Sequence, residues 1–159
     1  MFSPLHDIGK IAIPDNVLLK PSSLDKNEKH IMQTHALKGR EIIDDLLKNF
    51  ELENIEYIDM LRNIIEYHHE NINGHGYPKG LKSEDIPIEA RIVAVADVFD
   101  ALTSARPYKK AWSNEKACAT LRELAGVTLD KAYACVNALL ENMAEIEHIQ
   151  KHFQEQNYN

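Results

Sequence analysis

The chain has 159 residues, enough for one compact domain, with 25 acidic against 18 basic side chains and a formal net charge of −7, a balance that argues against broad binding to DNA or RNA backbone. Its 44% apolar and 27% charged residues lie near globular averages and exclude wholesale disorder, and no apolar run nears the roughly 20 residues that span a bilayer. The N-terminus shows no signal-peptide pattern, and Cys118 and Cys135 make neither a metal motif nor a disulfide framework, which points to a reducing cytoplasm.

In chain order, Gly9 and Pro14 end a first short helix near Lys10, and residues 15–23, flanked by Pro14 and containing Pro21, read as a loop. Asp25 with Glu28 is an acidic capping box that opens a helix predicted to run to about Asn49. A second long helix is predicted over about 55–70, followed by Asn71-Ile72-Asn73-Gly74-His75-Gly76-Tyr77-Pro78, whose Asn-Gly and Tyr-Pro steps mark a structured loop. Pro87 starts a helix to about Thr103, Ser113 caps one ending at Gly126, and Asp130 caps a C-terminal helix over 131–155. No alternating pattern is long enough for a strand, so the expected fold class is all-α.

The Pro87 helix carries the first chemical clue. Ile88, Ile92, Val95, Phe99 and Leu102 form one stripe and Ala90, Val93, Ala94 and Ala101 the opposite one, so the helix reads as buried nearly all round. Asp97 and Asp100 then lie on an apolar face, where a carboxylate needs a counter-charge: a salt bridge to Arg91 or Arg106, or a cation. Eight histidines is a high number for this length, and His6-Asp7, His35 and His68-His69-Glu70 fall in patterned positions. Adjacent helical residues point about 100° apart, so a His-His pair addresses only a wide site, such as a metal cluster. Imidazole and carboxylate without cysteine suit iron, manganese, cobalt or nickel as readily as zinc. His30, His75, His148 and His152 lack such context and read as solvent-facing.

His6-Asp7-Ile8-Gly9-Lys10, the His35 helix, His68-His69-Glu70, Gly74-x-Gly76-Tyr77-Pro78 and Arg91-Ile-Val-Ala-Val-Ala-Asp97 together resemble the HD-GYP family, a bacterial branch of the HD phosphohydrolases that cleaves cyclic di-GMP in signal transduction. The similarity runs from about Pro4 to Asp130. It implies an HD-type helical bundle around two or three divalent metals, iron or manganese foremost, with zinc, cobalt and nickel compatible. It also implies metal ligands at His6, Asp7, His35, His68, His69 and Asp97, with Asp7 bridging two metals. Lys10 matches a lysine that contacts substrate phosphate, and Arg106 and Lys109 a basic pair on the far phosphate. Tyr77 and Tyr108 are candidates to pack against guanine. The Gly-Tyr-Pro loop is a candidate contact for a protein partner.

The sequence departs from the pattern twice. Met1 stands five residues before His6, whereas family members carry an upstream helix with another histidine ligand. The expectation is a single HD-GYP-like domain over 1–159 that lacks that helix, holds one metal weakly, loses activity and self-associates as a homodimer through uncovered apolar surface. Asn73 stands where the family usually has Asp, which leaves the contacts of that loop open. Three readings follow: a metal-dependent cyclic di-GMP phosphodiesterase yielding linear dinucleotide or GMP, an HD phosphohydrolase with another phosphate-ester substrate, and a catalytically impaired module that binds a nucleotide or partner. The missing upstream ligand favours the third, the intact six-ligand set favours the first, and the first ranks highest; cations concentrated in a cleft would let an acidic protein bind an anionic dinucleotide.

Overall fold

Two 3-10 turns, Ser3–Leu5 and Ile8–Ala12, lead into helices α1 (Asp15–Leu18), α2 (Lys26–Gln33), α3 (His35–Asn49) and α4 (Ile58–Tyr67). A third 3-10 turn, Ser83–Asp85, precedes α5 (Ile88–Thr103), α6 (Asn114–Leu124), α7 (Ala134–Glu141) and α8 (Met143–Gln156). The structure, a computed structural model, describes residues 3–52, 55–105, 110–129 and 134–156. Among these there is no strand, only the isolated bridges Asn73–Lys82 and Ala125–Leu129, and the fold is all-α. No described helix is long and apolar enough to cross a membrane.

Local chemistry explains several boundaries. Both arms of the capping box are made at the start of α2: Asp25 accepts from the backbone of Asn27 and Glu28, and Glu28 accepts from the backbone of Asp25. The helix predicted to continue to Asn49 instead breaks at Thr34. There the Thr34 hydroxyl donates to the Ile31 carbonyl at 2.7 Å, and the His35 ring takes the Met32 carbonyl at 2.8 Å, so side chains claim acceptors that a continuing helix would use. The stretch read as a loop after Pro14 contains α1, seated by buried Val17. The second long helix is shorter than predicted, and His69 lies in the turn beyond its end. The C-terminal stretch is two helices separated at Asn142; the Asp130 cap lies outside the described residues.

The core is in three parts. Ile43, Leu47, Ile58, Leu61 and Ile65 join α3 to α4. Val95, Phe99, Ala117, Cys118, Leu121 and Val136 join the C-terminal half of α5 to α6 and α7. Ile72, Ile86 and Ala90 anchor the loop between α4 and α5. The all-round burial predicted for α5 is only partly realised: its neighbours cover Val95 and Phe99, while Ile88 and Ile92 remain 49% and 53% exposed. Cys118 and Cys135 are not joined to each other by a disulfide.

The second 3-10 turn lies directly on α3 because both surfaces lack side chains at the crossing. A Cβ at Gly9 would overlap the His35 carbonyl oxygen and lie 2.5 Å from the Gly39 nitrogen; a Cβ at Gly39 would meet Ile65 of α4 at 2.8 Å. Gly9→Ala therefore requires backbone to move. It is expected to cost about 2 kcal/mol or more, lowering the melting temperature by about 4–8 °C. Ile11→Ala, at a position 78% exposed, should stay within about 0.5 kcal/mol. Thermal unfolding of the two variants checks both values, and a harmless Gly9→Ala would refute the close crossing.

Candidate metal centre

The crossing at Gly9 carries His6 and Asp7 over the start of α3, where they meet His35, the end of α4 and the middle of α5. Asp7 Oδ1 lies 3.3 Å from Nε2 of His35 and 3.8 Å from Nε2 of His68. Asp7 Oδ2 lies 3.3 Å from Nε2 of His6, which in turn is 3.8 Å from Asp97 Oδ1. The His69 ring is centred 4.1 Å from that of His68 and 5.0 Å from that of His35. All six residues therefore gather at one place, and atoms of Asp7, His35, His68 and His69 lie within 4.8 Å of one another.

Proton positions make this cluster unusual. His35 and His68 are each 1% exposed. Nδ1 of His35 faces the Met32 carbonyl at 2.8 Å, and Nδ1 of His68 faces the carbonyls of Ile64 and Ile65 at 2.9 and 3.1 Å. A carbonyl only accepts, so both Nδ1 atoms carry a proton and each ring turns its Nε2 into the cluster. The two Nε2 atoms lie 3.5 Å apart, and both face Asp7 Oδ1, which is buried with no well-formed hydrogen bond. With Nε2 unprotonated these are three acceptors, which repel unless a cation sits between: a metal ion or, without one, a proton that an Nε2 shares with Asp7. Two donors each about 2.1 Å from one ion lie roughly 3.0–3.4 Å apart at right-angle to tetrahedral geometry, close to the spacing observed. The donor set fits a divalent metal, and the backbone carbonyls hold the rings as metal-binding histidines are usually held.

Electrostatics agree. Burial pushes the Asp7 carboxyl upward, but His35, His6 and Lys10 outweigh it and hold the group well below the usual carboxylate range. His68 is lowered to about 4, first by burial and then by His6 and His35. His69 is lowered to about 3, by burial and then by His68 and His35. A bond from His6 leads the influences that lower Asp97. The Tyr77 hydroxyl is raised by burial and by the charges of Asp7 and Asp97, so it stays protonated.

Residues 3–133 match the HD domain family. The chain belongs to that family. Among curated relatives of this HD domain, the cyclic di-GMP phosphodiesterase response regulator RpfG of Xanthomonas campestris is 49% identical over 94% of the chain and 37% of its own length. The 3'3'-cGAMP-specific phosphodiesterase 2 of Vibrio cholerae is 46% identical over 72% of the chain and 20% of its length. A cyclic di-GMP phosphodiesterase of Thermotoga maritima is 44% identical over 78% of the chain and 32% of its length. The chain thus spans between a fifth and just over a third of these relatives. The resemblance read from the motifs is borne out, and HD domains bind divalent metals.

The two acids of α5 depart from expectation. Asp97 is only partly buried, with its side chain 28% exposed, and it faces His6. Asp100 points outward and accepts from the Ser104 hydroxyl. Lys10 donates to Asp7 Oδ2. Tyr77 stacks on His69, with ring centres 4.7 Å apart and an interplanar angle of 29°, so one of its faces is already covered. Arg106, Tyr108 and Lys109 lie outside the described residues. His30, His75, His148 and His152 are exposed, and His75 borders a cleft of about 290 Å³ shared with His68, His69, Tyr77 and Asp97. Asn73 accepts from the His75 backbone at 3.0 Å, a turn contact that Asp would also make. Two buried acids, Glu66 and Glu70, carry no role in the sequence reading; Glu70 is marked there only as part of His68-His69-Glu70, and nothing marks Glu66.

The lowered His68 has a stability consequence. Between pH 6.5 and about 4 the unfolded ring binds a proton that the folded ring refuses, so metal-free protein loses stability as pH falls through that window. His68 alone contributes about 3 kcal/mol of this loss. Melting curves in chelator at successive pH values should show the decline, and His68→Gln should flatten it. Saturating Mn2+ should raise the melting temperature: at a hundred times the dissociation constant the gain is about 2.7 kcal/mol. No manganese effect at neutral pH would count against the metal centre.

Proposed function

We propose that this chain is a metal-dependent phosphodiesterase that hydrolyses cyclic di-GMP to linear dinucleotide or GMP. The observation that carries the reading is the convergence of Asp7 Oδ1 with the Nε2 atoms of His35 and His68, a donor set that suits a divalent cation. Relatives named cyclic di-GMP phosphodiesterases support the substrate. Asp7 is proposed as the bridge: Oδ1 addresses His35 and His68, and Oδ2 addresses His6. One ion would be held by His35, His68 and His69 with Asp7 Oδ1, and another by His6 and Asp97 with Asp7 Oδ2. Two or three ions, iron or manganese foremost, suit these donors. Bound there, divalent ions supply Lewis-acid stabilisation of the phosphate and activation of water.

The protein's own groups do the rest. Lys10, held beside Asp7 and 40% exposed at its side chain, is placed to swing to a substrate phosphate, while Arg106 and Lys109 are proposed to hold the far phosphate. The uncovered face of Tyr77 is proposed to meet a base. At neutral pH His68 is neutral and Asp7 ionised, so both are ready to serve as ligands. A cytoplasmic setting fits the free thiols. A protein partner at the exposed edge of the Gly-Tyr-Pro loop, Asn73, His75 and Lys79, and homodimerisation are further parts of the reading, to be tested by pull-down and light scattering.

A second substrate is favoured by the relative specific for 3'3'-cGAMP. Metal-loaded protein incubated with each dinucleotide separately, with products resolved by chromatography, decides between them. Cleavage of cyclic di-GMP at the higher kcat/KM supports the proposal. Preference for 3'3'-cGAMP reassigns the substrate, and no cleavage of either leaves only the metal centre. Arg106→Ala and Lys109→Ala should each weaken cyclic di-GMP binding at least about tenfold with metal content unchanged. Asp7→Ala should remove more metal by elemental analysis than His69→Ala, since a bridge serves two ions.

A further inference from the structure

Glu70 follows His69 directly and is only 3% exposed. Its carboxylate is not among the groups that converge on Asp7. Instead it accepts from three successive backbone N–H groups: Lys79 at 2.6 Å, Gly80 at 3.0 Å and Leu81 at 3.0 Å. Charge-assisted bonds of this kind offset the cost of burying the carboxylate, and they tie the far end of the Gly-Tyr-Pro loop to the end of α4. Glu66, one helical turn earlier, reaches the same loop residue: its Oε1 lies 3.6 Å from Lys79 Nζ while its Oε2 accepts from Arg40 at 2.9 Å. Lys79 is therefore held by backbone and side chain together. The near end of the loop is pressed equally close, since a Cβ at Gly76 would lie 2.5 Å from Glu70 Cα. Between these two attachments sits Tyr77, whose N–H donates to the His69 carbonyl at 3.2 Å and whose ring stacks on the His69 imidazole.

We propose that Glu70 is a positioning residue for the metal centre: by gathering the N–H groups of Lys79, Gly80 and Leu81 it clamps Tyr77 on His69 and fixes the imidazole toward the ion. This rests on the reading of His69 as a ligand. His69 needs such a device because, unlike His35 and His68 with their carbonyls, it has the Tyr77 face behind its ring. A glutamine at 70 keeps the shape but turns an NH2 toward N–H donors, so the clamp opens without an added void.

The test measures Mn2+ affinity calorimetrically, and the visible absorption of Co2+-loaded protein, for wild type, Glu70→Gln, Tyr77→Ala and the double variant. The expected result is a loss of at least tenfold in Mn2+ affinity and an altered Co2+ spectrum in each single variant, with no further loss in the double. Amide exchange at 79–81 should quicken in Glu70→Gln. Quickened exchange with unchanged Mn2+ affinity and Co2+ spectrum overturns the proposal and leaves Glu70 a loop anchor; additive losses overturn the route through Tyr77. Should Glu70→Gln fail to fold, Tyr77→Ala decides alone: a tenfold loss supports the clamp and an unchanged affinity overturns it. A wild type that binds no Mn2+ overturns the metal reading with the clamp, whereas one that binds Mn2+ but leaves cyclic di-GMP intact fails only the substrate assignment.

Discussion

The bare-backbone crossing of Gly9 over Gly39 is the constraint from which the rest of the arrangement follows. Helices usually pack 8–10 Å apart because side chains separate them. Here a 3-10 turn and a helix touch main chain to main chain, with Ile65 of α4 against the same point. Three elements are thereby fixed to one another within a single contact. His6 and Asp7 lie immediately before it, His35 one turn before Gly39, and His68 one turn after Ile65. The crossing thus sets the spacing of the donors more than any contact between the donors themselves, which repel.

That repulsion is sustained by what surrounds it. Buried Ile43, Leu47, Leu61 and Ile65 bind α3 to α4, while Ala94 and Phe99 bind α5 to the C-terminal helices. The apolar burial is far larger than the electrostatic cost of a few facing acceptors, so the fold can hold the centre ready. Basic side chains such as Arg40 and Arg62 are engaged with Asp44 and Glu66 away from the cluster. The same division leaves Lys10 as a described cation beside Asp7.

The fold class and motif order were legible in the residues because capping boxes, Pro87 and Ser113 act locally and the histidine spacing is dense. What was not legible depended on partners distant in sequence. The break at Thr34 goes with a hydroxyl and a histidine ring taking helical carbonyls, and that ring is buried against α4 rather than against its own helix. The exposure of Ile88 and Ile92 reflects which half of α5 its neighbours reach, not the apolar period. Glu70 could be quoted from the sequence as part of His-His-Glu, yet its use is set by backbone N–H groups that every loop possesses. Asp97 read as a buried acid because its helix is apolar, but it opens onto the cleft.

The carbonyl bonds behind His35 and His68 have a consequence for the exchange of protons with solvent. Most histidine and carboxylate sites release protons as they load, so their affinity climbs with pH. Here folding has placed a proton of each ring on Nδ1, away from the centre, and turned Nε2 toward it. Burial keeps His68 neutral at neutral pH, so an ion arriving there has no proton to displace from that ring. The backbone thereby supplies a ligand already in the tautomer a metal needs, before any ion is present.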